Sequence, residues 1–297
     1  MRKTLYMYSF DKGMNLFFRK IAVVLSGVVC SLLCIVICKI FMVNDLDWKL
    51  PSDIHTVFLG ASQPNRGINP DFYVHSINLA SPSERYMFTY LKLMKLLDVN
   101  SQIDTIFIQF APTDVWEDAD CKYYATNEMK YFIPRYVYFF SWEEFKIYNS
   151  CMKSALNSFI SKIYTGIPSN IHSYGKYEPI YRKFDREKRY LPQMIQGNND
   201  GNHVNINYLM KIVRLCKEAG CKLYFVYFPM FKAEDYYDQE YYFHIYDKYF
   251  KDVELLNYRD LEIPDSLRYD EHHLNSDGAI WFTKFLYQSI HKNEIYQ

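Results

Sequence analysis

Five short segments of mostly apolar residues, separated by longer segments, constrain the fold of this chain most strongly. They read HTVFLG (55–60), VHSINLA (74–80), IDTIFIQFAP (103–112), CKLYFVYFP (221–229) and VELLNY (253–258). Short, near-continuous apolar runs are typical of parallel strands that are buried on both faces. Between them, segments such as 204–220 carry apolar residues at helical spacing. The sequence therefore predicts an α/β fold: a doubly wound, mostly parallel five-stranded sheet in three layers, with right-handed crossovers.

An apolar segment near the start of the sequence is long enough to cross a membrane. It is uncharged from Ile21 to Cys38 and continues after Lys39 to residue 43, about 23 residues in all. Cations predominate before it and carboxylates after it: Arg2, Lys3, Asp11, Lys12, Arg19 and Lys20, then Asp45, Asp47, Lys49 and Asp53. By the positive-inside rule, residues 1–20 are expected in the cytoplasm and the chain from about residue 44 outside it.

We interpret residues 21–43 as an uncleaved signal anchor, a single transmembrane helix in the inner (cytoplasmic) membrane and in contact with its lipid. A linker at 44–53 and an extracytoplasmic domain at 54–297 would follow. A cleaved signal peptide is the alternative. Its apolar region is usually shorter and is followed by small residues, whereas this chain continues KIFMVNDLDW.

Charge and cysteine content disfavour several classes of function. The 34 Lys and Arg residues balance the 34 Asp and Glu residues, so no nucleic-acid partner is expected. No Cys-x-x-Cys pair occurs, which disfavours a zinc site, and we predict neither a metal nor a cofactor. Four cysteines follow the apolar segment, namely Cys121, Cys151, Cys216 and Cys221. This even number permits disulfides but does not assign their pairing.

The segment 115–203 interrupts the alternation between the third and fourth strands. It is rich in Tyr, Phe, Lys and Arg, and its pattern is mostly helical. We interpret it as a helical insertion, either a cap over the carboxyl edge of the sheet or a docking surface. Its aromatic and basic side chains are suited to stacking on sugars.

Three loops are expected at the carboxyl edge, where open α/β sheets bind ligands: 60–67, 111–118 and 268–279. In the third loop, Asp270 and His273 are spaced so that the carboxylate can bond one ring nitrogen and leave the other free. Ser62 follows the first strand in a tight turn, where His273 would activate it as a nucleophile. A serine at this position is also a common helix cap, and the first loop alone does not separate the two interpretations.

FLGAS near the start of the domain and YDEHHLNSDGA near its end resemble the SGNH (GDSL-type) hydrolase superfamily. The likeness covers residues 54–291 and is strongest to the membrane-anchored, extracytoplasmic branch, which includes D-alanine-transfer and alginate-acetylation proteins of bacterial envelopes. It implies an SGNH/flavodoxin-like three-layer fold, with Ser62 as nucleophile, His273 as base and Asp270 as its orienting acid. The implied activity is an esterase or O-acyltransferase on a cell-surface glycan or acylated substrate, with a membrane acyltransferase as a possible partner.

Two of the short sequence motifs that are typical of this family are altered in the chain. Ala80 stands where the family has a glycine whose N–H binds the oxyanion, although a backbone N–H survives that change. The motif after the third predicted strand reads Ala111-Pro112-Thr113-Asp114. It lacks the asparagine whose side chain binds the oxyanion in the family. Thr113 or Asn78 substitutes for it, or the protein is slow, or it does not catalyse. The alternative to an enzyme is a non-catalytic accessory protein of the same fold that binds glycan or an acyl-donor membrane partner.

Arg66 in the first loop has two interpretations of equal weight. It pairs with a carboxylate or phosphate of the substrate, which its planar guanidinium suits, or it forms a salt bridge to Asp114 or another carboxylate of the chain. Asp114 is alternatively expected to orient its own loop.

Overall fold

The computed structural model describes residues 2–44, 46–115, 129–151, 168, 170–184, 204–231 and 238–291. The chain divides into two compact units, Met1–Leu46 and Asp47–Gln297. The first contains helix α1 (Arg2–Asn44), in which Met14–Ile35 forms an apolar window of 22 residues with no part buried. At 1.5 Å per residue this window is about 33 Å long, which matches the hydrocarbon core of a bilayer. The structure thus confirms an N-terminal helix long and apolar enough to span a membrane or to act as a signal anchor.

The second unit is built on a five-stranded sheet in the order β2-β1-β3-β4-β5, and all four strand pairs are parallel. The strands are β1 (Thr56–Leu59), β2 (Ser76–Asn78), β3 (Thr105–Gln109), β4 (Lys222–Tyr227) and β5 (Glu254–Asn257). The helices are α2 (Ser62–Gly67), α3 (Tyr86–Val99), α4 (Pro112–Val115), α5 (Met129–Tyr136), α6 (Trp142–Cys151), α7 (Val204–Glu218), α8 (Gln239–Tyr249) and α9 (Ser276–His291). Short 3₁₀ turns lie at Pro70–Phe72, Val137–Phe139, Ile171–Tyr174 and Asp265–Leu267. The predicted α/β fold with five strands is confirmed.

Helices cover both faces of the sheet. On one face, Phe282 and Leu286 of α9 pack in a single cluster with Phe58 and Phe107 of the strands. Because successive strand residues point to opposite faces, the fully buried Val57 faces the other layer, where α3 packs against α7. Burial on both faces explains why the central strands β1 and β3 are almost continuously apolar.

A stack of aromatic rings crosses three neighbouring strands. Phe58 pairs in register with Phe107, and Phe107 with Tyr224. Their ring centroids lie 4.9 Å and 4.8 Å apart, with nearly parallel planes. Aromatic pairs of this kind contribute about 0.5–1.5 kcal/mol each beyond the burial of their area. The stack therefore favours the observed register of β1, β3 and β4.

The strand order places a topological switch point at β1. The chain leaves β1 for β2 on one side, and then returns past β1 to form β3 on the other side. Gly60 begins the loop after β1 with a φ of 124°, and a Cβ there would lie 2.7 Å from Gln109 Cβ. Only glycine fits this approach without a shift. The crevice at such a point is where open α/β sheets bind ligands.

A fully buried ion pair attaches the inserted segment to the sheet. Lys92 Nζ of α3 donates to Glu84 Oε2 at 2.8 Å and to the Tyr174 carbonyl oxygen at 2.8 Å. The hydroxyl of Tyr136, in α5, donates to the same carboxylate at 3.1 Å. Burial raises the pKa of Glu84 and lowers the pKa of Lys92, and the opposite charge of each partner offsets part of that shift.

Packing of the second unit begins inside the segment predicted as a linker, 44–53. Trp48 and Leu50 are both buried. The Leu50 N–H donates to Asn100 Oδ1 at 2.7 Å, and the Trp48 ring lies 4.7 Å from the Tyr174 ring. These two apolar side chains hold the segment against the second unit, because exposing them to water would lose the free energy gained by burying their apolar surface.

Cys216 and Cys221 are buried free thiols in the described part of the chain. Burial raises the pKa of Cys216 to about 12. Cys121 and the side chain of Cys151 lie outside the described residues, so disulfide pairing stays a prediction.

Candidate active site

Ser62 is the first residue of α2, immediately after β1 and the Gly60-Ala61 turn. Its hydroxyl oxygen lies 2.8 Å from His273 Nε2. Ala61, not Ser62, occupies the N-cap position of the helix. The structure therefore directs the serine hydroxyl to a histidine rather than to a capping role.

His273 and Asp270 lie in the loop between β5 and α9. His273 Nδ1 lies 2.8 Å from Asp270 Oδ1 and 2.9 Å from Oδ2. The Oδ1 atom also accepts hydrogen bonds from the backbone N–H groups of His272 and His273, both at 2.8 Å. An ionised carboxylate at Nδ1 holds the proton there and leaves Nε2 able to accept a proton from Ser62. The three residues that the sequence associates thus form one continuous hydrogen-bonded chain.

The start of α9 fixes the position of this loop. Asn275 caps the helix, because its Oδ1 accepts the Gly278 N–H at 3.0 Å. Its Nδ2 donates to the carbonyl oxygens of Ser266 and Arg268, at 2.8 Å and 3.0 Å. A Cβ on Gly278 would lie 2.0 Å from the Leu267 carbonyl oxygen, so glycine permits this close approach. Asn275 thus joins the start of α9 to the loop that carries His273.

The loop that carries Asp270 and His273 is only partly accessible to solvent, and this burial shifts the pKa values of its ionisable groups. The side chains of His273 and Asp270 are 15% and 32% exposed. Burial raises the pKa of Asp270, but the hydrogen bond and charge of His273 and the His272 N–H lower it more, and its pKa lies below the usual value. Burial and the neighbouring His273 lower the pKa of His272. The carboxylate beside His273 is therefore ionised at neutral pH.

Ala80 and Asn78 have structural partners instead of facing a ligand. The Ala80 N–H donates to Asn78 Oδ1 at 2.9 Å. Asn78 Nδ2 donates to the carbonyl oxygens of Pro64 and Ile68, each at 2.7 Å. Because α2 is short, its carbonyl groups need donors from elsewhere, and Asn78 supplies them. The expectation that the Ala80 N–H or the Asn78 amide binds an oxyanion is therefore not met in this structure.

Asp114 orients the loop after β3, as one of its two interpretations expected. Its Oδ2 accepts from Gln109 Nε2 at 3.0 Å and from the Ala111 N–H at 3.1 Å. Arg85 Nη1, not Arg66, lies 3.9 Å from its Oδ1. Burial raises the pKa of Asp114, and Arg85 offsets part of the rise. The other interpretation, a salt bridge between Arg66 and Asp114, is wrong because Arg85 is the cation beside that carboxylate.

Thr113 and Arg66 remain available to a ligand by position. Thr113 is half-buried in α4, directly after β3. Arg66 lies one helical turn after Ser62, half-exposed, with its guanidinium carbon 5.8 Å from the centroid of the Tyr269 ring. Their roles in substrate binding stay predictions.

Sequence reasoning missed Arg85 and placed Asn65 near Ser62 without giving it a role. Arg85 directly precedes α3, and nothing in the sequence around it indicates that its partner is Asp114, nearly thirty positions later. Asn65 is 1% exposed, and its Nδ2 donates to the carbonyl oxygens of Ala80 and Lys176. The signal for Asn65 was present, since it follows Ser62 by one helical turn. Among the residues that the structure describes, no cluster of His, Cys, Asp and Glu is arranged to hold a metal ion.

Comparisons with known proteins give distant structural likenesses, among them two crystal structures of Bacteroides proteins. No family model matches the chain, and no curated protein matches it. A crystal structure from Bacteroides fragilis, described as a "putative acylhydrolase", has a TM-score of 0.38 at 9% identity and covers 85% of this chain and 93% of its own. A GDSL-like lipase from Bacteroides thetaiotaomicron has a TM-score of 0.39 at 10% identity and covers 85% of this chain and 95% of its own.

Proposed function

We propose that this protein is an SGNH-type esterase or O-acyltransferase that acts on ester groups of cell-envelope polysaccharide. The observation that carries the proposal is the chain of hydrogen bonds from Ser62 through His273 to Asp270. The chain joins loops 211 residues apart in sequence at the carboxyl edge of the sheet. A nucleophile, a base and a group that orients the base are the three parts that acyl transfer to a serine requires.

The reaction proceeds in two steps. His273 Nε2 takes the Ser62 proton as Oγ attacks the ester carbonyl carbon, and the resulting oxyanion collapses to expel the alcohol, which receives that proton. The product is an ester of Ser62. Water or a sugar hydroxyl then attacks this ester with His273 as base, so that the acyl group is hydrolysed or transferred and Ser62 is restored.

The oxyanion needs hydrogen-bond donors, and the residues present supply fewer than the family pattern does. The Ser62 N–H opens α2 and has no acceptor within that helix, which makes it the first donor. The Thr113 hydroxyl is the second candidate. Removal of one such donor typically costs about 2.7–4 kcal/mol in the transition state, so we expect slow turnover.

A non-catalytic role is the second candidate, and one observation favours it. The Ala80 N–H, which would normally help to bind the oxyanion, is already donated to Asn78. An accessory protein that binds glycan or an acyl-donor membrane partner needs the pocket but no oxyanion hole. The two functions differ in whether Ser62 becomes acylated.

The apolar window of α1 and its flanking charges support an extracytoplasmic location for the site. In this proposal, residues 21–43 contact lipid, and the site faces the envelope polysaccharide. A membrane acyltransferase would supply acyl groups if transfer, not hydrolysis, is the reaction. The balanced charge offers no attraction to nucleic acid.

A labelling experiment separates the two functions. The full chain in detergent is treated with a serine-reactive fluorophosphonate and, separately, with p-nitrophenyl acetate, alongside Ser62→Ala and His273→Ala. Ser266→Ala, an exposed serine in the same region, is the matched control. We expect labelling and turnover of the wild type and of the control, and neither in the two site variants. Absence of labelling in the wild type, or equal turnover in all four proteins, would favour the accessory role.

A further inference from the structure

A cavity of about 800 Å³ is lined by neighbours of the candidate nucleophile in the fold but not by Ser62, His273 or Asp270 themselves. Its walls come from the loop after β2, from α5 and from the segment 170–178. Asn65, one helical turn after Ser62, lines it. Ser81, also in its wall, donates its N–H to the Gly60 carbonyl oxygen at 3.0 Å. The elements that hold Ser62 therefore also form part of this cavity.

The lining favours a ligand that carries hydroxyl groups. Ser81, Ser83 and Ser173 contribute small polar side chains, and Tyr131 and Phe132 contribute aromatic rings. Aromatic rings beside hydroxyl groups suit sugars, which have an apolar face and a polar rim.

Asn65 gives independent evidence for a missing hydrogen-bond donor. Its Oδ1 is buried and has no partner among the residues that the structure describes, although its Nδ2 binds the Ala80 and Lys176 carbonyl oxygens. Buried polar atoms without partners are rare in folded proteins and call for an explanation. A ligand hydroxyl in the cavity would supply the donor once the amide shifts toward it, because Oδ1 is closed off from solvent in this structure.

Charge narrows the class of ligand further. The half-buried Arg135 lines the cavity, and none of the described carboxylates lies within ion-pair distance of its guanidinium. Lys176 adds a second cation, and the only acidic side chain among the described lining residues is Glu178, whose Oε1 is 3.8 Å from Lys176 Nζ. The described lining residues thus carry one cation in excess. A planar guanidinium in a partly buried site is suited to a carboxylate or a phosphate.

We infer that this cavity binds an acidic sugar residue of the polysaccharide, next to the residue whose ester Ser62 attacks. The inference rests on the proposed function for the identity of the reacting group. It adds a binding site, with Arg135 as the residue that selects an anionic substrate. Carboxylate and phosphate present the same chemistry to this guanidinium.

Calorimetric titration of the full chain in detergent tests the inference with three probes: oligogalacturonate, a neutral malto-oligosaccharide of equal length, and glucose 1-phosphate. The proteins are the wild type, Arg135→Gln, Lys176→Gln and the control Arg214→Gln, an exposed arginine of α7 outside the cavity. We expect an acidic probe to bind the wild type and the control, and Arg135→Gln to weaken it roughly tenfold through loss of one charge-assisted hydrogen bond. Lys176→Gln should weaken it less, because that lysine is exposed and already faces Glu178.

The outcome is separable from that of the labelling experiment. Preference for the uronate locates a carboxylate in the cavity, and preference for the sugar phosphate locates a phosphate; both support the inference. Equal binding of the neutral and acidic probes, or unchanged binding in both Arg135→Gln and Lys176→Gln, overturns it. Fluorophosphonate labelling of Ser62 should persist in Arg135→Gln. If the wild type is not labelled by the fluorophosphonate but still binds the acidic probe, the proposed reaction is contradicted and the anion site is retained.

Discussion

At the residue scale, Asp270 combines two tasks in one carboxylate. Its Oδ1 accepts two backbone N–H groups that shape the loop, and both oxygens lie at hydrogen-bond distance from His273 Nδ1. The carboxylate therefore sets both the position and the tautomer of the imidazole.

Asp270→Asn is expected to preserve the loop and to abolish most of the activity. The amide oxygen can still accept the backbone N–H groups, but the amide nitrogen then donates to Nδ1. The ring proton moves to Nε2, which can no longer accept the Ser62 proton. We expect kcat for p-nitrophenyl acetate to fall by roughly 10³–10⁴, with little change in KM. The exposed Asp252→Asn is the control, and a variant with near wild-type kcat would contradict this role.

The same carboxylate predicts a pH dependence of stability. The pKa of Asp270 is lowered in the folded protein, so its contribution to stability is present above the unfolded pKa and is lost as the pH falls through the folded value. The difference in unfolding free energy between wild type and Asp270→Asn should shrink as the pH falls below about 4. Urea unfolding at each pH measures it. A difference that stays constant down to about pH 2.5 would rule out the lowered pKa.

Thr113 is open to an independent test of the oxyanion hole. Thr113→Val keeps the shape of the side chain and removes the hydroxyl. If that hydroxyl binds the oxyanion, kcat should fall roughly 10²–10³-fold while KM stays close to that of the wild type. Thr105→Val, at the start of β3 and so at the other end of the strand that precedes Thr113, serves as control. Unchanged kcat would leave the Ser62 N–H as the main donor.

The sequence was sufficient for the residues whose function follows from spacing and insufficient for those whose function follows from packing. Asp270 and His273 are three positions apart, so their contact is local. The Ala80 N–H bonds to Asn78 only two positions away, but the Asn78 amide itself donates to the carbonyl oxygens of Pro64 and Ile68, 14 and 10 positions earlier. No short motif carries that information, because hydrogen-bond partners of backbone groups are set by tertiary structure.

At the scale of elements, the Glu84–Lys92 pair joins α3, α5 and the turn at Ile171–Tyr174. Both side chains are fully buried, so each charge depends on the other. Lys92→Met should destabilise the folded unit by about 3–5 kcal/mol, because it leaves the Glu84 carboxylate buried without a cation.

A double variant, Glu84→Gln with Lys92→Met, should recover much of that loss. Replacing both members of a buried pair is often close to neutral, unlike removal of one. Lys217→Met, on the exposed side of α7, is the matched control. Denaturant unfolding of the full chain in detergent measures all four proteins. Equal stability of Lys92→Met and the control would show that the pair does not hold the inserted segment.

Elements with a strong sequence pattern were easier to predict than those with a weak one. Strands β1, β3 and β4 were predictable because most of their residues are apolar. The segment 232–252 has a helical pattern of apolar residues, and in the described residues its helix α8 begins at Gln239, where Asp238 accepts a 2.9 Å hydrogen bond from the Tyr241 N–H. Residues 232–237 lie outside the described part of the chain. How the segment 170–178 attaches was not predictable, since its backbone bonds to Ala80 and Asn65 are long-range.

At the scale of the whole molecule, the strand order explains why distant loops form one site. The order β2-β1-β3-β4-β5 places the loop after β1 at the switch point, where neighbouring connections diverge. The loop after β5 reaches it because α9 packs against α2. From the sequence, the meeting of these two loops could be predicted only through the general rule that doubly wound sheets bind ligands at the carboxyl ends of their strands.

The orientation of the chain in the membrane is the remaining prediction at this scale. The cations at Arg19 and Lys20 border the apolar segment on one side, and Asp45 and Asp47 follow on the other. Since basic residues are retained in the cytoplasm, the Asp47–Gln297 unit should lie outside it. Alkaline phosphatase fused after Gln297 should be active and β-galactosidase at the same site inactive, because the former requires export and the latter fails after it. Replacing the five cations before the segment with Gln should weaken this asymmetry. An active β-galactosidase fusion in the unaltered chain would contradict the orientation and with it the extracytoplasmic substrate.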